Sequence, residues 1–445
     1  MMFFGLVLAS VAAMNVAVDE PPLYFDVIDT GDAAMDRGDK VEPWRVVDLE
    51  PEYGGLWVVA GDIDCDGRVE IVSCENHNEG DVHYTSTAVA QSLDGEVLWR
   101  WGQPEAGRKK WHHDVACQIH DWDNDGKPEV VLCTKGFVVE LDGASGEERR
   151  RFAIPDHATD CLVFCDLASN EYRGDVLVKT RYSQIWAYDR HGKRLWDVAM
   201  PGGYRTAHQP RPMDIDGDGR EEILAGYAML DPDGTVRWVF ESEKVDQKCG
   251  HLDCARVVRK GQSPADWRIA LTCCGANNVA MVDGNGRVLW EVSGHHFESL
   301  DVGRIFPDRP GPHIIVDVDH QPYGNSPIWI LDNNGKLLGR IVTDYSRHHA
   351  LVDWAGDGSD EIVVAHNGAV YDHRGKRQAT LVLAASLAAE RRFEKSVLVG
   401  DMSGDGVPDV TLTTPNRVYI YRNESVPHTD APETHAGTEP NFTLY

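Results

Sequence analysis

Short apolar runs recur along the chain and are separated by loops rich in Asp and Gly. Within many runs apolar and polar residues alternate, as in residues 175–181 (DVLVKTR) and 418–423 (VYIYRN), which predicts β-strands rather than helices. Two kinds of loop repeat: an Asp-rich loop before an apolar run, and an Asp-Gly turn often followed by Trp. The pattern therefore predicts an all-β protein built from one repeated unit.

The aspartates of the turns recur at intervals of about 40 to 50 residues, a period typical of β-propeller blades. They are Asp94, Asp142, Asp189, Asp231, Asp283, Asp332 and Asp372. Counting the units predicts an eight-bladed β-propeller, with seven blades plus an appendage as the alternative. Because the last unit stops after Tyr421, we expect the segment from Trp44 to Leu49 to supply its outer strand and close the ring.

Charge and the chain ends narrow the range of functions. The 445 residues include 72 acidic and 43 basic ones, a formal net charge of −29, which argues against nucleic acid as a partner. The apolar segment 1–13, or its extension to about residue 20, resembles a secretory signal peptide, and no later apolar run could span a membrane. We expect a secreted or periplasmic monomer with one propeller domain over 40–423 and a polar disordered tail over 424–445.

The Asp-rich loops carry oxygen donors at relative positions 1, 3, 5 and 9, with Gly at position 6. Ca²⁺ binds about six to eight oxygen atoms, and alternate side chains of a tight loop can point to one centre. The alternative is that Asp is simply favoured in such turns. We predict about three to five structural Ca²⁺ ions. Three complete and two partial ligand sets are Asp62, Asp64, Asp66, Glu70; Asp121, Asp123, Asp125, Glu129; Asp214, Asp216, Asp218, Glu222; Asp353, Asp357, Glu361; and Asp401, Ser403, Asp405, Asp409.

On the face opposite these loops, the opening of the central channel (the mouth) is predicted to be lined by functional His, Tyr and Arg residues. Residues before the first strand of each unit lie on that face, near the central channel, and the loop after the second strand opens there too. A single His at such a position is more often a hydrogen-bonded structural residue than a functional one. Its recurrence at equivalent positions of the repeat favours a functional cluster. The candidates are His112, His157, Arg181, Tyr182, Tyr204, Arg205, His208, His251 and His296.

The ten cysteines are an even number, which suits an oxidising compartment. Two pairs, Cys117 with Cys133 and Cys254 with Cys273, flank their hairpin loops at similar offsets and are the expected disulfides. Cys74 occupies the same position as Cys133 in its own unit but lacks a partner at the matching offset.

The Asp-rich loops, of the form DxDxDGxx(D/E)(I/V), and the turns of the form LDGxGxxLW recur over residues 54–423. In these motifs the chain resembles the calcium-binding β-propeller polysaccharide lyases, such as rhamnogalacturonan and ulvan lyases. It is also similar to the wider class of proteins with FG-GAP or VCBS-like repeats. The resemblance implies β-elimination of an acidic, uronate-containing polysaccharide in a cleft lined by His, Tyr and Arg.

Such an elimination needs a cation beside the C5 carboxylate, a base for the C5 proton and an acid for the departing oxygen. We expect Arg205, or alternatively Arg181, to neutralise the carboxylate. Base and acid are expected among the remaining candidates His112, His157, Tyr182, Tyr204 and His208. His251 and His296 would contact neighbouring sugars or take part in a second proton transfer.

Three other functions stay open at this point. A non-catalytic glycan-binding or scaffolding propeller would use the same His and Arg residues only to bind an acidic glycan. A glycoside hydrolase would need paired carboxylates, whose separation the sequence does not show. A quinone-dependent dehydrogenase would be eight-bladed and carry adjacent cysteines, as Cys273 and Cys274 are.

Overall fold

The computed structural model describes residues 24–30, 35–104, 114–244, 247–319, 324–383, 395–424 and 426. The expected signal peptide and almost all of the expected tail lie outside these residues. Eight β-sheets are formed in the described part of the chain, six with four strands and two with five. This arrangement confirms the prediction of an eight-bladed β-propeller. Within the same residues, no helix is long and apolar enough to cross a membrane.

The strands follow chain order within each blade. The N-terminal segment contributes β1 (Asp26–Asp29), β2 (Asp39–Val41) and β3 (Arg45–Asp48). Blades 1 and 2 contain β4 (Trp57–Gly61), β5 (Glu70–Glu79), β6 (Val82–Ser92), β7 (Val97–Gly102), β8 (Cys117–His120), β9 (Glu129–Thr134), β10 (Phe137–Asp142) and β11 (Glu148–Ala153). Blades 3 and 4 contain β12 (Cys161–Cys165), β13 (Asp175–Lys179), β14 (Gln184–Tyr188), β15 (Arg194–Ala199), β16 (Thr206–Met213), β17 (Glu222–Gly226), β18 (Ala228–Leu230) and β19 (Val236–Val239).

The second half of the ring repeats the arrangement. Blades 5 and 6 contain β20 (His251–Arg259), β21 (Arg268–Cys274), β22 (Asn278–Val282), β23 (Val288–Ser293), β24 (Phe297–Gly303), β25 (His313–Val318), β26 (Ser326–Leu331) and β27 (Leu337–Thr343). Blades 7 and 8 contain β28 (His349–Val352), β29 (Glu361–Val364), β30 (Ala369–Tyr371), β31 (Arg377–Leu381), β32 (Ser396–Gly400), β33 (Asp409–Thr413) and β34 (Arg417–Tyr421). Short 3₁₀ turns occupy Pro201–Gly203, Gln247–Cys249 and Pro264–Asp266.

The first strand of each blade is the innermost. Strand β12 lies beside β16, β16 beside β20, and β20 beside β24 around the centre of the ring. Every residue of β4 and β12 is buried, whereas exposed and half-buried residues predominate in the outer strands β11 and β15. A strand that is packed on both faces needs apolar residues at every position, so the inner strands are continuous apolar runs. The outer strands are partly exposed and therefore also contain polar residues.

The repeated Trp joins neighbouring blades. The indole N–H of Trp99, in blade 1, donates to the carbonyl of Gly143 in blade 2 at 2.8 Å. Three later blades repeat the contact at 2.8 to 2.9 Å, through Trp196 to Pro232, Trp238 to Gly284 and Trp290 to Asn333. A Cβ placed on Gly146 would come within 2.5 Å of the Trp99 ring. The turn therefore needs Gly because an indole from the previous blade lies against it.

The ring closes as predicted, with additional strands that the sequence analysis did not foresee. Strand β3 pairs antiparallel with β34 and completes blade 8, which confirms the outer strand expected between Trp44 and Leu49. In addition, β1 pairs parallel with β27 of blade 6, and β2 pairs parallel with β31 of blade 7. Strand β1 lies before residue 40, where the domain was expected to start, and β2 spans that residue. The N-terminal segment thus covers the outer edges of three successive blades.

Both expected disulfides are wrong, and strand register gives the reason. In blade 2 Cys117 stands opposite Leu132, and in blade 5 Cys254 stands opposite Thr272. Each predicted partner is therefore one residue out of register. Successive side chains of a strand point to opposite faces of the sheet, so these sulfurs face different blades.

A buried ion pair anchors β1 to blade 7. The carboxylate of Asp29 lies 2.8 Å from Nη2 of Arg377, and both side chains are 1% exposed. The Tyr371 hydroxyl donates to the same carboxylate at 2.7 Å. Because neither charge reaches water, each depends on the other for compensation.

We expect Arg377→Met to lower the free energy of unfolding by about 3 to 5 kcal/mol, because Asp29 would be left buried without its counter-charge. Urea denaturation measures the change. Arg374→Met removes an exposed arginine from the adjacent turn and serves as the control. Equal stability of the two variants would contradict this role of the ion pair.

Candidate active site

One face of the propeller carries the starts of the innermost strands and the ends of the second strands. The Asp-rich loops join these strands at the other face, so the two features are separated by the length of a strand. His251 begins β20, Lys179 ends β13 and Cys274 ends β21, and all three lie at the first face. The strand order therefore places the Asp-rich loops on one face and the candidate site residues on the other, as the sequence predicts.

Lys179 is the centre of a buried charge network at this face. Its ammonium lies 2.8 Å from Asp114 and 3.1 Å from Asp160, and it donates to the carbonyl of Arg181 at 3.0 Å. The lysine side chain is fully buried, and the two carboxylates are almost so. Burial alone would lower the pKa of Lys179, but the two carboxylates outweigh it and raise that pKa above its ordinary value. Lys179 is therefore charged and orders both acids.

The first branch of the network runs through His208. Its Nδ1 lies 2.6 Å from Asp114, and its Nε2 lies 3.3 Å from Asp253. Nε2 of His251 lies 2.9 Å from the same oxygen of Asp253. Asp253 is buried, so burial raises the pKa of its carboxyl well above the ordinary value. Two imidazoles and one carboxyl group thus meet in one buried place.

The second branch comes from the long β5–β6 hairpin of blade 1. Its buried His83 contacts Asp160 through Nδ1, and its Nε2 lies 3.1 Å from Nη1 of Arg181. If Nδ1 donates to Asp160, Nε2 is an acceptor that faces both Arg181 Nη1 and Nδ2 of Asn78, the latter at 2.6 Å. Asp81 at the hairpin tip lies 3.5 Å from the same guanidinium. The hairpin therefore orients Arg181 at the mouth.

Tyr182 lies where the two branches meet. Its ring centroid is 4.6 Å from that of His251 and 5.5 Å from that of His208. The guanidinium carbons of Arg181 and Arg205 lie 5.1 and 5.6 Å from the same centroid, within cation–π distance. Burial raises the pKa of the Tyr182 hydroxyl, although Arg181 opposes the shift. The phenol is therefore protonated at neutral pH, between two cations.

A second cluster adjoins the first through Asp253. Ligand atoms of Asp253, Cys274, His296 and Glu298 all lie within 4.8 Å of one another, as do those of His208, His251 and Asp253. Sγ of Cys274 lies 2.7 Å from Nε2 of His296, and Arg347 lies 3.0 Å from Glu298. Sulfur, imidazole and carboxylate together suit zinc or another transition metal better than Ca²⁺. These residues could hold a divalent cation beside the mouth.

The Asp-rich loops fold alike on the other face. In blade 1 the Asp62 carboxylate accepts the N–H groups of Asp66 and Gly67, each at 3.0 Å, and Glu70 accepts that of Ile63 at 3.0 Å. Gly67, at position 6, has φ of 86°, which favours glycine. Asp62, Asp64 and Asp66 bring oxygens within 4.8 Å of one another. Three acids do the same in each of the next two complete loops: positions 1, 3 and 9 in blade 2 (Asp121, Asp123, Glu129) and positions 1, 3 and 5 in blade 4 (Asp214, Asp216, Asp218).

The sequence matches the family model of the C-terminal domain of rhamnogalacturonan lyase family 11 over residues 167–429. The chain belongs to this family. It is 26% identical to the rhamnogalacturonan exolyase YesX of Bacillus subtilis in an alignment of 296 positions, which covers 60% of this chain and 45% of YesX. It is 24% identical to the rhamnogalacturonan endolyase YesW of the same organism in an alignment of 486 positions, which covers 86% of this chain and 74% of YesW.

Solved structures of family 11 lyases share the fold. The YesW crystal structure superposes with a TM-score of 0.60 at 18% identity, covering 85% of this chain and 75% of that one. A Bacillus licheniformis rhamnogalacturonan lyase gives 0.60 at 19%, covering 90% and 78%. The predicted resemblance to polysaccharide lyases is confirmed at the level of the family.

The predicted site residues of this family 11 chain divide into three groups. Arg181, Tyr182, Arg205, His208 and His251 come together at the mouth, and His296 joins the adjoining cluster through Cys274. Two residues lie elsewhere. The half-buried Tyr204 packs edge-on against the buried Tyr227 at the margin of a hydrophobic core, and the exposed His157 stacks edge-on against Trp186. His112 lies outside the described residues.

Eight further residues of the site were missed. They are His83, Asp114, Asp160, Lys179, Asp253, Cys274, Glu298 and Arg347. A signal for three of them is present in the sequence, because an acid follows an aligned His by two residues at Asp114, Asp253 and Glu298. A spacing of two puts both side chains on one face of a strand. Lys179 and His83 carry no such signal.

We expect Lys179→Met to lower the free energy of unfolding by about 3 to 5 kcal/mol, because Asp114 and Asp160 would be left buried without a cation. Chemical denaturation measures the loss. Lys193→Met, at an exposed turn of the same blade, is the matched control. A loss no greater than that of the control would show that Lys179 does not compensate the two acids.

Proposed function

We propose that this chain cleaves rhamnogalacturonan by β-elimination at the mouth formed by Arg181, Tyr182, Arg205, His208 and His251. One observation carries the proposal: two guanidinium groups, a protonated phenol and two imidazoles converge in a member of a lyase family. The names of the relatives YesX and YesW support a rhamnogalacturonan as substrate.

The reaction needs three groups around one uronate residue. A cation beside the C5 carboxylate makes the C5 proton more acidic, and a base then removes that proton. The electron pair of the C5–H bond forms the C4–C5 double bond, and the C4–O bond breaks. An acid protonates the departing oxygen, which leaves one unsaturated sugar and one new chain end. No redox partner is needed.

Arg181 and Arg205 are suited to bind the carboxylate. They flank Tyr182 on the face where the polymer would arrive, and a guanidinium can bind a carboxylate through two parallel hydrogen bonds. Arg205 is exposed, whereas Arg181 is oriented by His83 and Asp81. We assign carboxylate binding to this pair. A divalent cation bound by Asp253, Cys274, His296 and Glu298 would add positive charge on the same side.

His251 and Tyr182 are suited to the two proton transfers. Burial lowers the pKa of His251 to about 4, so its imidazole is neutral and can accept a proton. The Tyr182 hydroxyl keeps its proton, and its ring is 4.6 Å from that of His251. We assign the base to His251, supported by His208, and the acid to Tyr182. The sequence-based expectation for His251 was contact with a neighbouring sugar or a part in a second proton transfer, and the assignment here makes it the base.

Ca²⁺ in the Asp-rich loops is proposed as a structural ion. Burial raises the pKa of Glu70, Glu129, Glu222 and Glu361 to about 7, so each position-nine carboxylate lacks full compensation by protein groups. Arg149 lies 2.6 Å from Glu129 and Arg237 lies 3.1 Å from Glu222, which gives blades 2 and 4 a partial internal counter-charge. Ca²⁺ would complete the compensation in these loops and in those of blades 1 and 7.

We expect Tyr182→Phe and His251→Ala each to lower the rate of elimination by about 10² to 10⁴, because each removes a proton-transfer group. Ultraviolet absorbance of the unsaturated product measures the rate on rhamnogalacturonan, with polygalacturonate and ulvan as comparison polymers.

His191→Ala changes an exposed histidine on the opposite face of blade 3 and is the control for both variants. Polymer binding without any product from the unchanged chain would favour a non-catalytic propeller. Product formation unaffected by either substitution would move the active site elsewhere.

Chelation of divalent ions is expected to lower the unfolding midpoint, and added Ca²⁺ should restore it, because ion binding to the folded state stabilises that state. The Asp62→Ala variant should bind one Ca²⁺ fewer in metal analysis. Asp94→Ala, in an exposed turn of the same blade, should bind as many as the unchanged chain. A chelated chain with an unchanged midpoint and no bound Ca²⁺ would contradict the proposal.

A further inference from the structure

Two buried cysteines meet at the seam between blades 1 and 2. Sγ of Cys74, on β5, lies 3.1 Å from Sγ of Cys117, on β8, and both residues are fully buried. A disulfide bond joins sulfurs at about 2.0 Å, so a movement of about 1 Å would connect them. The two residues belong to different sheets and are 43 positions apart in the chain.

The backbone around the pair is held from both sides. Cys74 stands opposite Trp57 in the β4–β5 ladder, and the indole N–H of Trp57 donates to the carbonyl of Cys117 at 3.0 Å. One residue away, the hydroxyl of Thr85 on β6 donates to the carbonyl of Ala116 at 3.0 Å. These bonds from blade 1 keep the start of β8 next to β5, so the two sulfurs face each other because of the fold.

Other cysteines in the described part of the chain face different partners. Sγ of Cys133 lies 4.0 Å from the carbonyl of Cys161, and Sγ of Cys254 lies 3.6 Å from that of Leu300. Sγ of Cys274 is directed to His296. The direct approach of two sulfurs at Cys74 and Cys117 is therefore a specific feature of one seam.

We propose that Cys74 and Cys117 form a disulfide bond that fastens blade 1 to blade 2 beneath the active-site mouth. The bond forms by thiol–disulfide exchange. Both thiols lose their protons, one sulfur–sulfur bond forms, and a small-molecule or protein disulfide is reduced to two thiols. The proposal does not depend on lyase activity.

The position of the bond connects it to the site. Cys117 follows Asp114 by three residues, and Asp114 holds both Lys179 and His208. Cys74 lies in the strand that leads into the hairpin carrying His83. The disulfide therefore joins the two chain segments that supply the blade 1 and blade 2 members of the buried charge network.

The timing of oxidation follows from burial. Burial raises the pKa of the Cys74 thiol, and the thiolate is the reactive form in exchange. The folded reduced protein should therefore oxidise slowly. Oxidation is expected while the chain folds, before the two thiols are buried.

The test refolds the full chain in a mixture of glutathione and glutathione disulfide, then alkylates free thiols in denaturant. We expect two fewer alkylated cysteines than in the fully reduced chain and one cross-linked peptide pair containing Cys74 and Cys117. Reduction should lower the unfolding midpoint of the unchanged chain. It should leave the midpoint of the Cys74→Ala, Cys117→Ala double variant unchanged.

Cys133→Ala is the matched control, because it removes another fully buried cysteine from blade 2 and should keep the cross-linked peptide. Peptide mapping of the unchanged chain decides the outcome even if the double variant fails to fold. Alkylation of all ten cysteines after refolding to the native state would overturn the proposal. A cross-link between any other two cysteines, without the Cys74–Cys117 peptide, would overturn it equally.

Discussion

The contact between the tryptophan of one blade and the glycine turn of the next is what the ring depends on. Backbone hydrogen bonds of a blade are made almost entirely within its own sheet, so neighbouring sheets are joined mainly by side chains. The indole fills the space that a Cβ would occupy and donates to a carbonyl beside it. At the seam between blades 2 and 3 the ring of Phe152 lies against Gly192 instead. Each unit therefore buries its face only when its neighbour is present.

A closed ring imposes two chemically distinct faces. The Asp-rich loops lie on one face because each joins a first strand to a second strand. The other face receives the strand ends where His208, His251 and Lys179 meet. Buried charges are tolerated there because opposite charges compensate one another, and the low local dielectric strengthens those contacts. A strongly acidic protein can in this way gather two arginines beside one tyrosine at the mouth.

Closure of the ring and construction of the site use segments distant in the chain. Strands β1 and β2 pair in parallel with blades 6 and 7, which no hairpin could arrange. The ion pair between Asp29 and Arg377 joins residues nearly 350 positions apart. In the site, the hairpin of blade 1 brings His83 to Asp160 of blade 3. Only a closed ring brings such residues to one place.

Local sequence signals were enough to predict the repeat, the number of blades, the closing strand β3 and the face on which several His, Tyr and Arg candidates meet. Those features follow from local periodicity and from residues that recur at equivalent positions. Three features follow only from the tertiary structure: Tyr204 packs against Tyr227, Lys179 organises two acids, and the sulfur of Cys117 faces Cys74 and not Cys133. The physical reason is that strand register and blade packing set the direction of each side chain. A shift of one residue, which spacing along the chain does not reveal, turns a sulfur or a hydroxyl to the opposite face.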